Sequence, residues 1–172
     1  MAKAWGFQVG GIVGTEEKAA QLKKLIEIDY VFSYKNKQKG ALEQEIKERI
    51  PSGVDIYFDN VGGEMLDIML SQMKNFGVVI ACGAISTYDG NLGYEFKNMW
   101  RVILARLRVE GFVVYDYKEE NGNALDEIKR LIEEGKFKFI ADERVGGVEL
   151  APSLFKDFYE GKNLGKFYLK IQ

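Results

Sequence analysis

Apolar and polar residues follow two different periods along the first half of the chain. Residues 8–14, 29–34 and 54–59 are short runs rich in β-branched and aromatic side chains, which predict strands. Between these runs apolar residues recur every three or four positions, as in amphipathic helices. Strands that alternate with helices favour an α/β fold with a parallel sheet.

The first predicted helix has a complete start signal. Thr15 can cap it, and Glu16 and Glu17 follow in its first turn, where the helix dipole favours carboxylates. Its apolar stripe ends near Glu27. Residues 41–50 predict a charged surface helix, residues 51–53 a turn, and residues 65–73 an apolar helix. Residues 77–83 are almost uninterruptedly apolar, which predicts a buried strand at the centre of the sheet.

The second half contains one long loop and several further elements. The loop after Gly83 has about a dozen residues and contains Gly90 and Gly93, and loops of such length often line a site. Residues 99–107 predict a helix and residues 111–117 a strand. Two helical stripes follow, which Gly135 and Gly161 end. Residues 167–171 predict the last strand. The stripes consist of Leu125, Ile128, Leu131 and Ile132, and of Leu150, Leu154, Phe155 and Phe158.

Composition removes several classes of function. The 172 residues include 24 Lys and Arg against 26 Asp and Glu, so no basic excess favours nucleic acid as a partner. There is no His and a single Cys, Cys82, which argues against a metal site and excludes an intrachain disulfide. No apolar run reaches the roughly 20 residues of a membrane span. We therefore expect a soluble, cytoplasmic protein with no bound metal, membrane or nucleic acid.

The chain lacks the glycine-rich turn that usually identifies a dinucleotide site. Gly10, Gly11 and Gly14 lie within or just after the first predicted strand, so they do not form a G-x-G-x-x-G turn at the start of a helix.

Five ordered stretches nevertheless resemble one family. The chain is similar to the nicotinamide-binding half of the zinc-independent medium-chain dehydrogenases/reductases, in the branch of the prostaglandin reductases, leukotriene dehydrogenases and 2-alkenal reductases. The resemblance extends over essentially all 172 residues. The stretches are residues 14–18 (GTEEK), 57–64 (YFDNVGGE), 82–86 (CGAIS), 110–117 (EGFVV, then DY) and 160–166 (EGKNLGK).

The resemblance implies an α/β fold with a Rossmann-like, doubly wound parallel sheet. The first strand of such a sheet lies at its centre and leads into the glycine-rich turn. The similarity begins only after that turn, so we expect this chain to lack both features and to leave strand edges that must close up, pair with another chain or stay unpaired. Residues 1–136 then form a partial NADP-binding domain, and residues 137–172 a segment that in the family returns to the catalytic domain.

The resemblance also implies a set of NADP-binding residues. Lys18 and Tyr34 correspond to residues at the adenosine 2′-phosphate, and Tyr88 can contact cofactor or substrate and is the candidate catalytic residue. Each position has a purely structural alternative: a solvated helix lysine, a strand-end tyrosine, turn asparagines, a small buried cysteine or an apolar core strand. The complete set is Lys18, Tyr34, Asn60, Cys82, Gly83, Ala84, Ile85, Ser86, Thr87, Tyr88, Phe112, Val113, Val114 and Asn163.

At the level of function, the resemblance implies reduction by NADPH of the carbon–carbon double bond of α,β-unsaturated aldehydes and ketones, and a homodimer. Without its central strand and a catalytic domain, we expect the chain to be impaired in this reaction. The alternative is a non-catalytic fragment or truncated paralogue that serves as a nucleotide-binding or dimerisation module.

Overall fold

The computed structural model describes residues 1–88, 90 and 93–172. Within these residues the backbone forms seven strands and six helices in mixed α/β order. The strands are β1 (Gly10–Val13), β2 (Tyr30–Ser33), β3 (Val54–Asp59), β4 (Met73–Ala81), β5 (Arg108–Gly111), β6 (Ala141–Gly146) and β7 (Lys166–Ile171). The helices are α1 (Glu16–Leu25), α2 (Ala41–Arg49), α3 (Gly63–Gln72), α4 (Trp100–Leu104), α5 (Asn121–Glu133) and α6 (Ala151–Tyr159). Short 3₁₀ segments occupy Ile85–Thr87, Val114–Glu120 and Val148–Leu150.

The chain divides into two compact units. Unit 1 contains Met1–Asn36 and Gly122–Gln172, and unit 2 contains Lys37–Asn121.

Unit 1 contains two parallel strand pairs. β1 pairs with β2 from Gly10 opposite Tyr30 to Val13 opposite Ser33, and α1 connects them. The Thr15 side chain accepts a hydrogen bond from the Lys18 backbone N–H, which confirms the predicted cap. β6 and β7 form the second pair, with α6 between them.

Unit 2 contains a three-stranded parallel sheet in the order β3-β4-β5. The prediction that residues 77–83 lie at the sheet centre is confirmed, because β4 has a neighbour on each side and Val79 is completely buried. Val79 packs with Leu70 of α3, Met73, Ala105 and Leu107 in the core of this unit. The Val, Leu and Met side chains of this core contribute about 1.5–3 kcal/mol each on burial.

Glycines end the two long helices of the second half, as predicted. The Gly135 N–H donates to the Ile132 carbonyl and the Lys136 N–H to the Leu131 carbonyl, and Gly135 has a φ of 69°. This is the Schellman arrangement, in which a residue with positive φ lets the chain turn back onto the last carbonyls. Gly161 ends α6 with the same pattern, at a φ of 71°.

The predicted helix at residues 99–107 is wrong in its extent, since α4 ends at Leu104. Arg106 has a φ of 49°, and its N–H and that of Leu107 donate to the carbonyls of Ile103 and Val102. An arginine therefore occupies the Schellman position that glycine usually fills, and the sequence carries no glycine signal there.

The strand predicted at residues 111–117 is also wrong, because β5 ends at Gly111 and a 3₁₀ segment begins at Val114. The partner strand sets this limit. β4 ends at Ala81, whose carbonyl accepts the Phe112 N–H at 3.0 Å, and the chain beyond Ala81 bonds instead to the end of β3. Without a partner, the apolar run cannot continue as a strand. The prediction also missed β6, whose sequence is polar and which forms through pairing with β7.

Candidate functional site

The predicted site residues of unit 2 follow the carboxyl ends of three neighbouring strands. Asp59, the last residue of β3, lies opposite Ala81 of β4, and Ala81 lies opposite Gly111 of β5. Asn60, Cys82 and Phe112 come directly after these three residues. Since parallel strands end at the same edge of the sheet, the structure places these three predicted segments side by side, at the edge where open α/β folds bind ligands.

The carboxylate of Asp59 organises the turn after β3. Asp59 is 1% exposed, and its oxygens accept hydrogen bonds from the Tyr57 hydroxyl at 2.9 Å and from the backbone N–H groups of Val61 and Gly62 at 3.1 Å. Burial, and then the charge and hydrogen bond of Asp59, raise the pKa of Tyr57 well above its usual range, so its hydroxyl stays a donor.

The loop that follows β4 is bonded to this turn. The N–H groups of Cys82 and Gly83 donate to the Asp59 carbonyl at 2.8 and 3.1 Å, and the Ile85 N–H donates to the Asn60 carbonyl at 3.2 Å. Ser86 donates twice to the Val61 carbonyl, from its N–H at 3.0 Å and from its hydroxyl at 2.6 Å. The predicted positions from Cys82 to Tyr88 therefore form one hydrogen-bonded assembly with Asn60.

Glycine is required where this turn meets the loop. Gly63 has a φ of 52°, and a Cβ atom there would lie 2.9 Å from the Ser86 hydroxyl oxygen. A side chain would thus combine backbone strain with a steric clash.

Aromatic and aliphatic side chains border the same sheet edge. Phe112 contacts the rings of Phe58 and Tyr117, at centroid distances of 6.4 and 5.1 Å. Val113 and Val114 are about half exposed, and Tyr88, at the end of the Ile85–Thr87 segment, is 65% exposed. These side chains leave an apolar surface beside the ends of β4 and β5.

Asp67 anchors the return of the long loop onto α3. It is 2% exposed and accepts hydrogen bonds from the Tyr94 hydroxyl at 3.1 Å and from the N–H groups of Lys97 and Asn98 at 3.0 and 2.7 Å. Burial and the bond to Asp67 raise the pKa of Tyr94 to about 12. The prediction that this loop lines a site partly concerns residues 89, 91 and 92, which lie outside the described residues.

Unit 1 brings Lys18 and Tyr34 to the ends of β1 and β2. Lys18 lies in the first turn of α1, and Tyr34 follows β2, with its N–H bonded to the Val13 carbonyl at 3.1 Å. Lys35 comes next, and its N–H donates to the Gly14 carbonyl at 2.9 Å. Partial burial and then the charge of Lys35 lower the pKa of Lys18, and the charge of Asp142 opposes this shift by less. Lys35 thus places a second positive charge near Lys18, and its effect on Lys18 exceeds that of Asp142.

Asn163 lies in the loop between α6 and β7. Its side-chain amide donates to the Gly165 carbonyl at 3.0 Å, and the neighbouring Leu164 N–H donates to the Asp142 carboxylate at 3.0 Å. The same loop approaches Lys18, since a Cβ atom on Gly161 would lie 3.7 Å from the Lys18 ammonium nitrogen. In unit 1, Asn163 therefore shares its surroundings with Lys18.

Sequence reasoning missed the three residues that build these surroundings. Asp59, Asp67 and Lys35 were not singled out, because a carboxylate at a strand end and a lysine after a strand are common. For Asp59, the available signal was the pair Asp59-Asn60 shortly before two glycines.

In the described part of the chain, no three acidic or cysteine side chains are grouped so that they could hold a metal ion.

The fold and these loops define a nucleotide-binding α/β protein of the Rossmann type. Residues 1–130 match the family model described as zinc-binding dehydrogenase, and the chain belongs to that family.

Comparison with individual proteins confirms the reductase branch and the Rossmann-like fold. The chain is 38% identical over 165 residues to the NADP(+)-dependent 2-alkenal reductase of Nicotiana tabacum, covering 96% of this chain and 47% of that protein. It is 40% identical over 169 residues to prostaglandin reductase 1 of Oryctolagus cuniculus, covering 96% and 47%. CurA of Vibrio vulnificus, solved in complex with NADPH, superposes with a TM-score of 0.87 at 27% identity, covering 99% of this chain and 51% of that one. The chain thus spans about half the length of these relatives.

Replacement of Asp59 tests whether its carboxylate holds the turn. In Asp59→Asn the amide oxygen can keep the three bonds that Oδ1 accepts, but the amide nitrogen in place of Oδ2 would face the Gly62 N–H donor to donor, so we expect the free energy of unfolding to fall by about 1–3 kcal/mol. Urea unfolding followed by Trp100 fluorescence measures this change in unit 2, provided that both proteins carry Trp5→Phe, because Trp5 lies in unit 1 and would also fluoresce. Asp55→Asn on the same strand is the matched control, because Asp55 is 73% exposed and its ion pair with Lys74 should contribute under about 1 kcal/mol. Equal losses in the two variants would contradict the role of Asp59.

Proposed function

We propose that the protein is an NADPH-dependent reductase of the carbon–carbon double bond of α,β-unsaturated aldehydes and ketones, and that these residues supply its cofactor-binding half. The observation that carries the proposal is the 38–40% identity, over 96% of this chain, to an NADP-dependent 2-alkenal reductase and a prostaglandin reductase.

The residues present fit the cofactor at its adenosine end. An adenosine 2′-phosphate carries two negative charges, and Lys18 and Lys35 bring two positive charges close enough for Lys35 to lower the pKa of Lys18. Tyr34, which is 45% exposed, can donate a hydrogen bond to the same phosphate. We assign both residues to this contact.

In unit 2 we assign the sheet edge to cofactor binding. Asn60 and the segment from Cys82 to Tyr88 lie along this edge. We assign the backbone at Phe112, Val113 and Val114 to the nicotinamide amide, and the aligned ends of β3, β4 and β5 support this assignment. Asn163 is assigned to the nicotinamide ring by resemblance alone, since its amide is bonded within its own turn.

NADPH, when bound, would supply a hydride for the β-carbon of the substrate, and water would supply the proton for the α-carbon. What the protein contributes is orientation of the enone and stabilisation of the charge that develops on its carbonyl oxygen. Tyr88 is our candidate catalytic residue, because its exposed hydroxyl at the end of the β4 loop is free to donate to that oxygen.

We further propose that residues 1–136 are the NADP-binding domain and that residues 137–172 pack on a catalytic domain. The family match, which ends at residue 130, supports the first part. A cytoplasmic location is also proposed, because the free thiol of Cys82 stays reduced there. In the described residues, none of the helices is long and apolar enough to cross a bilayer.

Turnover tests the proposed reaction. We expect NADPH oxidation with a reactive alkenal to be slow for the 172-residue chain, because the half-exposed Val113 and Val114 leave the hydride-transfer position open to water. Fusion to the N-terminal half of a 2-alkenal reductase should raise kcat/KM by at least tenfold, and in the fusion Tyr88→Phe should lower kcat by tenfold or more. Tyr115→Phe is the matched control, on a side chain that is 84% exposed. Binding of NADPH without any turnover in the fusion would favour a non-catalytic nucleotide-binding module.

Cofactor preference tests the role of Lys18. We expect NADPH to bind more tightly than NADH, and Lys18→Ala to cost about 1–2 kcal/mol of NADPH affinity with little effect on NADH. Fluorescence titration measures both affinities. Lys24→Ala, which removes an exposed charge from the last turn of the same helix, is the control. A preference that survives in Lys18→Ala refutes the assignment.

Assembly is a separate proposal. Within the described residues, β1 has only β2 as a strand neighbour and β3 has only β4, so each has an edge available for pairing. We propose a homodimer, and light scattering should give twice the 19.5 kDa chain mass at micromolar concentration. A monomer over a hundredfold range of concentration would contradict it.

A further inference from the structure

Lys35 occupies a defined place at the end of β1. Its backbone N–H donates to the Gly14 carbonyl at 2.9 Å, which fixes the start of its side chain beside that strand end. The side chain then extends over Gly14: a Cβ atom built on Gly14 would lie 3.6 Å from both Cδ and Cε of Lys35 and 4.0 Å from its Nζ. The ammonium group is therefore held near the point where β1 passes into α1.

This position brings a second positive charge to Lys18. The charge of Lys35 lowers the pKa of Lys18, and it outweighs the opposing effect of Asp142. Two like charges at one strand end destabilise each other in the free protein. An anion placed between them would relieve that repulsion, and a dianionic phosphate monoester would relieve it most.

The absence of a carboxylate side chain at Gly14 also favours a phosphate at this place. Dinucleotide sites that accept NADH commonly place an Asp or Glu about 20 residues after the glycine-rich turn, where its carboxylate binds the ribose 2′-hydroxyl. Here the residue at the strand end is a glycine, and the space that its side chain would fill contacts Lys35. The end of β1 therefore presents a lysine and no carboxylate at Gly14.

We propose that Lys35 is a specificity-determining residue, the second cation that, with Lys18, selects the adenosine 2′-phosphate. This inference rests on the proposed use of NADPH and extends it to a residue that neither the motifs nor the resemblance indicated.

Nucleotide fragments isolate this contact from the nicotinamide end. Calorimetric titration of the full chain with adenosine 2′,5′-bisphosphate and with adenosine 5′-monophosphate differs only in the 2′-phosphate. We expect Lys35→Ala to weaken binding of the bisphosphate by about tenfold and of the monophosphate by less than twofold, the size of one charge-assisted contact. Lys39→Ala is the matched control, because it removes an exposed lysine four residues further along the chain.

A second variant tests the same place by adding charge. Gly14→Asp would put a carboxylate in contact with Lys35, without backbone strain, since Gly14 does not have a positive φ. We expect this variant to bind the bisphosphate no better than the monophosphate. Circular dichroism should show that both variants retain the secondary structure of the unmodified chain.

The outcomes distinguish the role of Lys35 from the use of NADPH. If the unmodified chain prefers the bisphosphate and Lys35→Ala keeps that preference, the role of Lys35 is refuted while the use of NADPH stands. If the unmodified chain does not prefer the bisphosphate, and NADPH binds no better than NADH, both are refuted. A selective loss in Lys35→Ala together with loss of discrimination in Gly14→Asp supports the inference.

Discussion

The buried carboxylate of Asp59 is the interaction on which the sheet edge of unit 2 depends. Its oxygens satisfy the N–H groups of Val61 and Gly62 where the chain leaves β3, and its backbone carbonyl accepts the N–H groups of Cys82 and Gly83 where the chain leaves β4. Backbone donors that are buried without partners cost about 1–3 kcal/mol each. Because Asp59 accepts these four N–H groups, the chain can leave β3 and β4 side by side with these donors paired. The parallel register then fixes where the loop after β5 begins.

The sequence predicted elements well where both of their ends carry a chemical signal. β3 was predicted with its observed bounds because a Pro-Ser-Gly turn precedes it and Asn60 follows, and α1 was predicted from its Thr15 cap. Predictions failed where distant pairing decides the structure. β6 forms from a polar segment because β7 lies beside it, and β5 stops at Gly111 because β4 provides no further partner. The local sequence pattern does not indicate which distant strand will pair with a segment.

Only part of the candidate site could be predicted from the sequence. The resemblance identified Asn60 and the Cys82 loop, and the structure shows them bonded together, which no local pattern indicated. Lys35 could not be found from sequence, because its place over Gly14 follows from the pairing of β1 with β2, and its effect on the charge of Lys18 appears only in the folded chain. Residues that act through tertiary placement are the ones that sequence reasoning misses.

The described strand ends of the two units differ in chemical character. In unit 1, the charge of Lys35 disfavours the charged form of Lys18, so an anion bound close to both lysines would relieve that repulsion. In unit 2, the residues at the end of β5 are apolar and half exposed, and hydride transfer proceeds best where water is excluded. The proposed phosphate contact in unit 1 therefore depends on charge, whereas the proposed hydride transfer in unit 2 requires a surface that covers Val113, Val114 and Tyr88. The proposed selectivity and the proposed turnover can thus be tested separately.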